Sequence, residues 1–216
     1  GLNKEINIDI QGRNFDLRSL YSSLPFSRNN KTELDIYGRG DLAVNIKGKI
    51  SRFNVPSIRA VYLLNINKIK YRDKVFQNID LKGNYSNGRL RNAYSSSINF
   101  EKFILRDFNS DLTGSLSIEN LKQPYIKLDA RGKTNAKILN KITKSGKIQN
   151  ISGYLYPDFQ LQSKLTSLKS LGLDAILASG ISGKIELENL SALLNNRYPI
   201  DELNGEVRFA GESWHT

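Results

Sequence analysis

Apolar and polar side chains alternate with a period of two along most of the chain. Ile6, Ile8 and Ile10 are separated by Asn7 and Asp9, and the same rhythm runs through Leu42, Val44 and Ile46, through Leu64 and Ile66, and through Ile98 and Phe100. It returns in Leu116 and Ile118, Ile126 and Leu128, Phe159 and Leu161, and Ile185 and Leu187. Successive side chains of a strand point to opposite faces, so the pattern predicts strands with one apolar and one polar face. Turn-forming residues stand between these runs: Gly38-Arg39-Gly40, Gly48, Asn87-Gly88, Ser145-Gly146, Gly180, Gly183 and Asn204-Gly205. Asn87-Gly88, set between Tyr85 and Leu90, predicts a two-residue hairpin.

Helical periodicity is scarce. Residues 15–24 place Leu17, Leu20, Tyr21 and Leu24 on one helical face, with Asp16 near the start and Pro25 just beyond. Residues 135–142 do the same with Ile138, Leu139 and Ile142, while residues 165–177 and 190–194 are weaker candidates. Helices of about two turns are marginal alone and need a sheet to pack on. The expectation is a mainly β chain with a few short helices.

Several segments echo one another. Residues 6–13 align with 126–133, and a short helical stretch follows each; residues 114–121 align with 183–190, and residues 79–85 with 201–207. Recurrence of a strand, a glycine and a strand predicts a stacked, elongated β architecture in place of a closed globule. The rough units are residues 1–124 and 125–210, and residues 211–216 read as a tail.

Composition narrows the chemistry. The 216 residues include no Cys and one His, His215 beside the C-terminus, which excludes a thiol nucleophile, a disulfide framework, a zinc–thiolate site and a His-based triad. Asp9 and Asp129 occupy matching places, with Asp107, Asp111 and Glu119 scattered nearby, but nothing in their spacing predicts a carboxylate pair at catalytic separation. Neither Gly38-Arg39-Gly40-Asp41 nor the Gly180 to Gly183 stretch has the Lys-Ser/Thr step of a phosphate loop. Ser22, Ser23 and Ser95 to Ser97 have no base partner. The expectation is a non-enzyme with no metal and no cofactor.

The formal charge is +11, yet the cations are dispersed: Lys47, Lys49, Arg59, Lys68, Lys70, Arg89, Arg91, Lys102 and Arg106 sit mostly between apolar residues. Such placement predicts a solvated outer face; attraction to anionic membrane surfaces is the alternative, and no nucleic-acid partner is expected. A start at Gly1, the absence of Met, and the lack of any run of 18 apolar residues read as an internal slice of a longer protein.

Two phrases carry a resemblance. One is Gly114, Leu116, Ile118, Asn120, Leu121 and Pro124; the other is Ile79, Asp80, Leu81, Gly83, Tyr85, Asn87 and Gly88. In their order along residues 1–210 these segments resemble the AsmA-like family with its TamB- and YhdP-type branches, in particular the periplasmic β-repeat region of Bacteroidetes-type members. The resemblance implies an elongated, curled antiparallel sheet, a β-taco or groove of diverged repeats. It further implies a periplasmic location, an inner-membrane helix outside this fragment, and phospholipid carried along the groove in support of outer-membrane lipid homeostasis and assembly. Implied partners are phospholipid or another lipid, the membrane, and outer-membrane or periplasmic proteins. Strand alternation selects Ile8, Ile36, Val44, Leu64, Leu81, Phe100, Leu116, Leu128, Leu161 and Leu187 for the apolar track, and a one-residue register error moves a strand's set to the other face. The alternative is a closed β-sandwich, a structural or adhesin-like interaction module in which the same side chains, with Tyr154, Tyr156, Phe103 and Phe108, are ordinary core. Periodicity alone does not separate the two.

Overall fold

The structure is a computed structural model describing residues 4–23, 34–51, 54–71, 74–107, 109–139, 148–165, 180–195 and 197–210. The alternating segments form one ten-stranded antiparallel sheet in chain order. Its strands are β1 (Lys4–Asp16), β2 (Leu34–Ile50), β3 (Ser57–Tyr71), β4 (Lys74–Ser86), β5 (Ser97–Leu105), β6 (Asp111–Glu119), β7 (Tyr125–Asn135), β8 (Ile148–Lys164), β9 (Gly180–Leu194) and β10 (Tyr198–Phe209). Among the described residues, extensive contacts between elements join only consecutive strands, or join α1 (Leu17–Ser23) to β1 and β2. The sheet is therefore a single elongated, curled layer that does not close, and among the described residues no second sheet packs on it. Nine spacings between ten strands, at roughly 4.8 Å each, make it about 43 Å long across the strands.

The echoing segments fall on β1 and β7, on β4 and β10, and on β6 and β9. The first two pairs lie six strands apart, and the ladder runs through residues 124 and 125 with β6 and β7 in unbroken register.

Most of the glycines expected to end strands lie inside them. Gly38, Gly40 and Gly48 belong to β2, Gly183 to β9 and Gly205 to β10, while Gly180 opens β9 as expected of a boundary. Glycine within a strand marks a bulge or a close approach as often as a turn, and the ladder here is interrupted repeatedly. Register shifts fall at Gly12/Phe15, Tyr37/Gly38, Lys82/Gly83 and Phe100/Phe103, and again in β8 to β10. Asn14, Asn78, Asn150 and Asn189 adopt positive φ within strands, the backbone form that Asn tolerates better than other non-glycine residues. Each bulge bends its strand, which lets strands of up to 17 residues curl.

Two expectations are corrected. Asn87-Gly88 is not a two-residue hairpin: β4 stops at Ser86 and β5 resumes at Ser97. Between them Asn87 is buried and bonded to the preceding connection, its carboxamide donating to the Pro56 carbonyl and accepting from the Ile58 N–H. Residues 190–194 are strand and not helix, because Ser191 and Leu194 pair with β8 while Leu193 and Leu194 pair with β10. The helix expected over 15–24 is present as α1, and the Asp16 carboxylate caps it by accepting the Ser19 N–H at 2.7 Å. The stretch expected over 135–142 reaches Leu139 as a tight turn; its remainder, residues 166–177, Leu24, Pro25, Ser145-Gly146, Phe108 and His215 lie outside the described residues.

Buried apolar residues are few for a chain of this size: Leu17, Ile66, Ile126, Ala130, Ala136, Ile151, Leu155, Leu161 and Leu165 among the described residues. Among the described residues Ala136, Ile151 and Leu155 form a cluster, against which Leu139, Ile185, Leu187, Leu190 and Ala192 pack. The turn after β7 thus covers a patch of β8 and β9.

Candidate functional site

Residues directly opposite each other in neighbouring strands share a face. Ile8 stands opposite Ile46, Val44 opposite Ala60, and Leu64 opposite Leu81. Gly83 stands opposite Phe100, Phe100 opposite Leu116, Leu116 opposite Leu128, Leu128 opposite Leu161, and Leu155 opposite Leu187. Ile36 shares this face by the alternation of β2 itself and stands opposite Ile69, beyond the extra residue, Asn67, that the ladder skips in β3. The register therefore places all ten candidates on one face, which stays apolar from β1 to β9.

Burial varies along that face. Ile8, on the edge strand, is 43% exposed, and Leu161, flanked on both sides, is 4% exposed; the other eight are half-buried. Leu187 differs from the rest, because it packs in the cluster under the 136–139 turn. Ile66, Ile126, Ala130, Leu155 and Leu161, all buried, belong to this face too, which makes it the inner side of the curl.

Glycines and aromatic rings alternate across the inner face. Phe15 is opposite Gly40, Tyr62 opposite Gly83 and Gly83 opposite Phe100. Phe103 is opposite Gly114, Phe159 opposite Gly183 and Gly183 opposite Phe209. The Phe15 ring reaches to 3.2 Å from where a Cβ on Gly40 would stand and the Phe103 ring to 2.8 Å from one on Gly114, so backbone that would otherwise be bare is paved with apolar surface there. The Tyr62 and Phe100 rings meet edge to face at 5.8 Å across Gly83, where a Cβ would come within 2.0 Å of the Asn99 carbonyl oxygen. The Tyr62 hydroxyl donates to the Asn99 carbonyl at 3.3 Å, and burial, with the Glu101 charge second, pushes its pKa up to about 12. Each glycine and each ring was visible in the sequence; their pairing across 11 to 26 residues was not.

The opposite face is polar and cross-linked from strand to strand. Asn45 donates to Asp9 at 2.7 Å, Asn65 to Asp80 at 2.9 Å, and Gln160 to Asp129 at 3.3 Å. The matching positions Asp9 and Asp129 are thus each occupied by a neighbouring carboxamide and sit on a solvated face. The Asn65 hydrogen bond, then the Arg106 guanidinium at 2.8 Å, hold the Asp80 carboxyl below its usual range. Lys133 lies 3.8 Å from the Tyr154 ring centroid and 5.2 Å from that of Tyr156, and a hydrogen bond with Tyr156 raises its pKa. Tyr154 and Tyr156 are therefore outer-face residues.

Two shallow hollows, of about 360 and 460 Å³, open on the polar face. The first is lined by Gln11, Arg13, Asp41 and Lys82 beside Val61 and Leu63; the second is lined by Asp129, Arg131, Asp158, Lys184 and Arg208. Within the second, Arg131 pairs with Asp129, while Lys184 and Arg208 both pair with Glu206 beside it, so its cations are already engaged. No group of three His, Cys, Asp or Glu residues able to hold a metal occurs among the described residues, nor does any helix long and apolar enough to cross a membrane. The extended apolar inner face is what this arrangement offers chemically. Comparison with models of known protein families, with curated proteins and with solved structures finds no match for this chain.

Proposed function

We propose that the inner face holds or conducts phospholipid acyl chains, as a segment of an AsmA-like protein. The observation that supports this most is an apolar face running unbroken over nine strands, with no second layer on it among the described residues. A sheet about 43 Å across is long beside the roughly 15 Å of one leaflet of hydrocarbon, half of a bilayer core. Each methylene removed from water contributes about 0.8 kcal/mol, so two acyl chains bind firmly without any specific pocket. Headgroups stay at the rims in water. Passage along the face needs no hydrolysis, because a paved apolar track has no deep trap. In this reading the segment works in the periplasm, tethered to the inner membrane by a helix outside these residues, and supports outer-membrane lipid homeostasis with outer-membrane or periplasmic partners.

A second reading rests on a different observation. Among the described residues β1 and β10 each have one neighbouring strand, so their outer edges offer backbone groups able to accept a partner strand. A non-catalytic interaction module uses those edges and not the apolar face.

Native mass spectrometry and lipid extraction of the purified chain separate the readings. Copurified phospholipid, reduced by Leu128→Asn, is the outcome expected of the lipid reading. A lipid-free monomer exposing no dye-accessible apolar surface overturns it.

A further inference from the structure

One end of the sheet carries a concentration of features that neither the apolar face nor the strand ladder requires. Among the described residues, 45–51, 54–60 and 84–99 contain Lys47, Lys49, Arg59, Arg89 and Arg91 and no Asp or Glu. These stretches meet where the connection from β2 to β3 lies against the loop from β4 to β5. The Asn87 carboxamide donates to the Pro56 carbonyl at 2.8 Å and accepts the Ile58 N–H at 2.9 Å, and the Asn87 N–H donates to the Ile58 carbonyl at 3.2 Å. The Arg91 guanidinium donates to the Val55 carbonyl at 2.9 Å. The loop is also pinned within itself, by Ser95 Oγ to the Asn87 carbonyl and Ser96 Oγ to the Asn92 carbonyl, each at 2.8 Å. Gly88 turns it at φ +67°, with so little room that a Cβ would lie 1.9 Å from the Ser95 carbonyl oxygen.

This fixed tip presents apolar side chains to solvent. Leu90 is 65% exposed, Tyr94 54%, Val55 52% and Ile50 46%. The nearest carboxylates by register are Glu5, opposite Lys49, and Glu119, opposite Ser97. Aliphatic and aromatic groups held out beside cations that outnumber the neighbouring carboxylates match the two layers of an anionic bilayer surface, with acyl boundary for the first and phosphate headgroups for the second. Nucleic acid satisfies the cations but leaves Leu90, Val55 and Ile50 in water, and only Tyr94 can stack on a base.

We infer that this tip is a docking surface for an anionic membrane. The inference is independent of acyl chains in the inner face, since none of its residues belongs to the ten on the track. It sets the sheet against a bilayer along the rim at β2 to β5.

Vesicle flotation with the 216-residue chain tests it. The chain is expected to float with phosphatidylcholine vesicles containing about 30% phosphatidylglycerol, not with phosphatidylcholine alone, and to be released by salt of about 0.5 M. Each cation near an anionic surface contributes about fivefold to partitioning, so Lys49→Glu with Arg89→Glu weakens binding by about 25-fold or more. Leu90→Ser with Tyr94→Ser also weakens it, and Leu90→Trp gains a blue-shifted emission on anionic vesicles only. All four positions are exposed or near-surface, and far-ultraviolet melts verify that the variants stay folded. Lys70→Glu, at the opposite strand ends, is expected to bind within a few-fold of wild type. The inference is overturned if Lys70→Glu weakens binding as much as the tip charges do, or if the Leu90/Tyr94 variant binds like wild type. It is equally overturned if a single-stranded oligonucleotide or an acidic protein binds this tip while vesicles do not. Copurified lipid is measured alongside, so loss of vesicle binding with lipid retained separates a failed tip from a failed track.

Discussion

The openness of the inner face can be tested by making one chemical change at two places on it. Ile8→Asn and Leu161→Asn each replace a branched aliphatic side chain with a carboxamide, at 43% and 4% exposure respectively. Full burial of such a side chain contributes about 1.5–3 kcal/mol, so the half-exposed Ile8 has roughly 1 kcal/mol at stake. Leu161 loses the full transfer energy plus a cavity, about 2–5 kcal/mol by analogy with Leu→Ala, and leaves an amide short of partners at about 1–3 kcal/mol more. For a chain of this length about 1 kcal/mol moves the melting temperature by roughly 2–4 °C. Ile8→Asn is therefore expected to melt within a few degrees of wild type, and Leu161→Asn about 10–20 °C lower. Circular dichroism melts read the stability, and extracted lipid per folded chain reads the face. If the inner face is an acyl track, Ile8→Asn loses lipid out of proportion to its small stability cost. Equal destabilisation by the two variants would refute the open face, because it would mean that β1 lies under a packed layer. Unchanged stability with unchanged lipid would remove β1 from the track.

Gly83→Val drives a Cβ into the Asn99 carbonyl oxygen, 2.0 Å away, and separates Tyr62 from Phe100; a loss of about 2–4 kcal/mol in urea unfolding is expected. Asp80 has its pKa lowered in the folded chain by Asn65 and Arg106, so its contribution is present above the unfolded value of 3.8 and lost as pH falls through the folded one. With Asp80 and Arg106 side chains 37% and 52% exposed, that contribution is a few tenths of a kcal/mol, and Asp80→Asn should flatten the acid limb of stability against pH by that amount. Tyr62 moves in the other direction: its folded pKa of about 12 lies above the ordinary phenol value of 10.0, so its share of stability is full below pH 10 and lost as pH rises through 12. Ultraviolet titration should show a late phenolate step near pH 12 in the folded chain that Tyr62→Phe abolishes.

The β class, and the face to which each candidate belongs, were legible because alternation is a local property. A pleated strand presents every second side chain to one side whatever it pairs with, so Leu116 and Ile118, or Ile126 and Leu128, declare a face without knowledge of their neighbours. The glycines were harder to read. Gly38 and Gly183 look like strand ends in one dimension, yet each sits inside a strand of 15 residues or more, and Phe159 and Phe209 flank Gly183 across the ladder. Asn87-Gly88 shows the reverse error, where a strong local hairpin signal yields to an Asn side chain bonded 29 and 31 residues back.

The sequence by itself determined that this chain makes two-faced strands, that it carries no thiol and a single imidazole at its very end, and that its charge is spread over polar faces. The tertiary structure decided the rest: that the strands join in order into one open layer, that rings cover the gaps at Gly40 and Gly114, and that the apolar face is left without a second sheet among the described residues. It also decided that Arg91 reaches Val55, 36 residues away, to build a cationic and apolar tip. The division follows from the pleat. Which way a side chain points is set by its own backbone, while what it meets is set by hydrogen bonding to strands far away in sequence, and no local pattern encodes that choice.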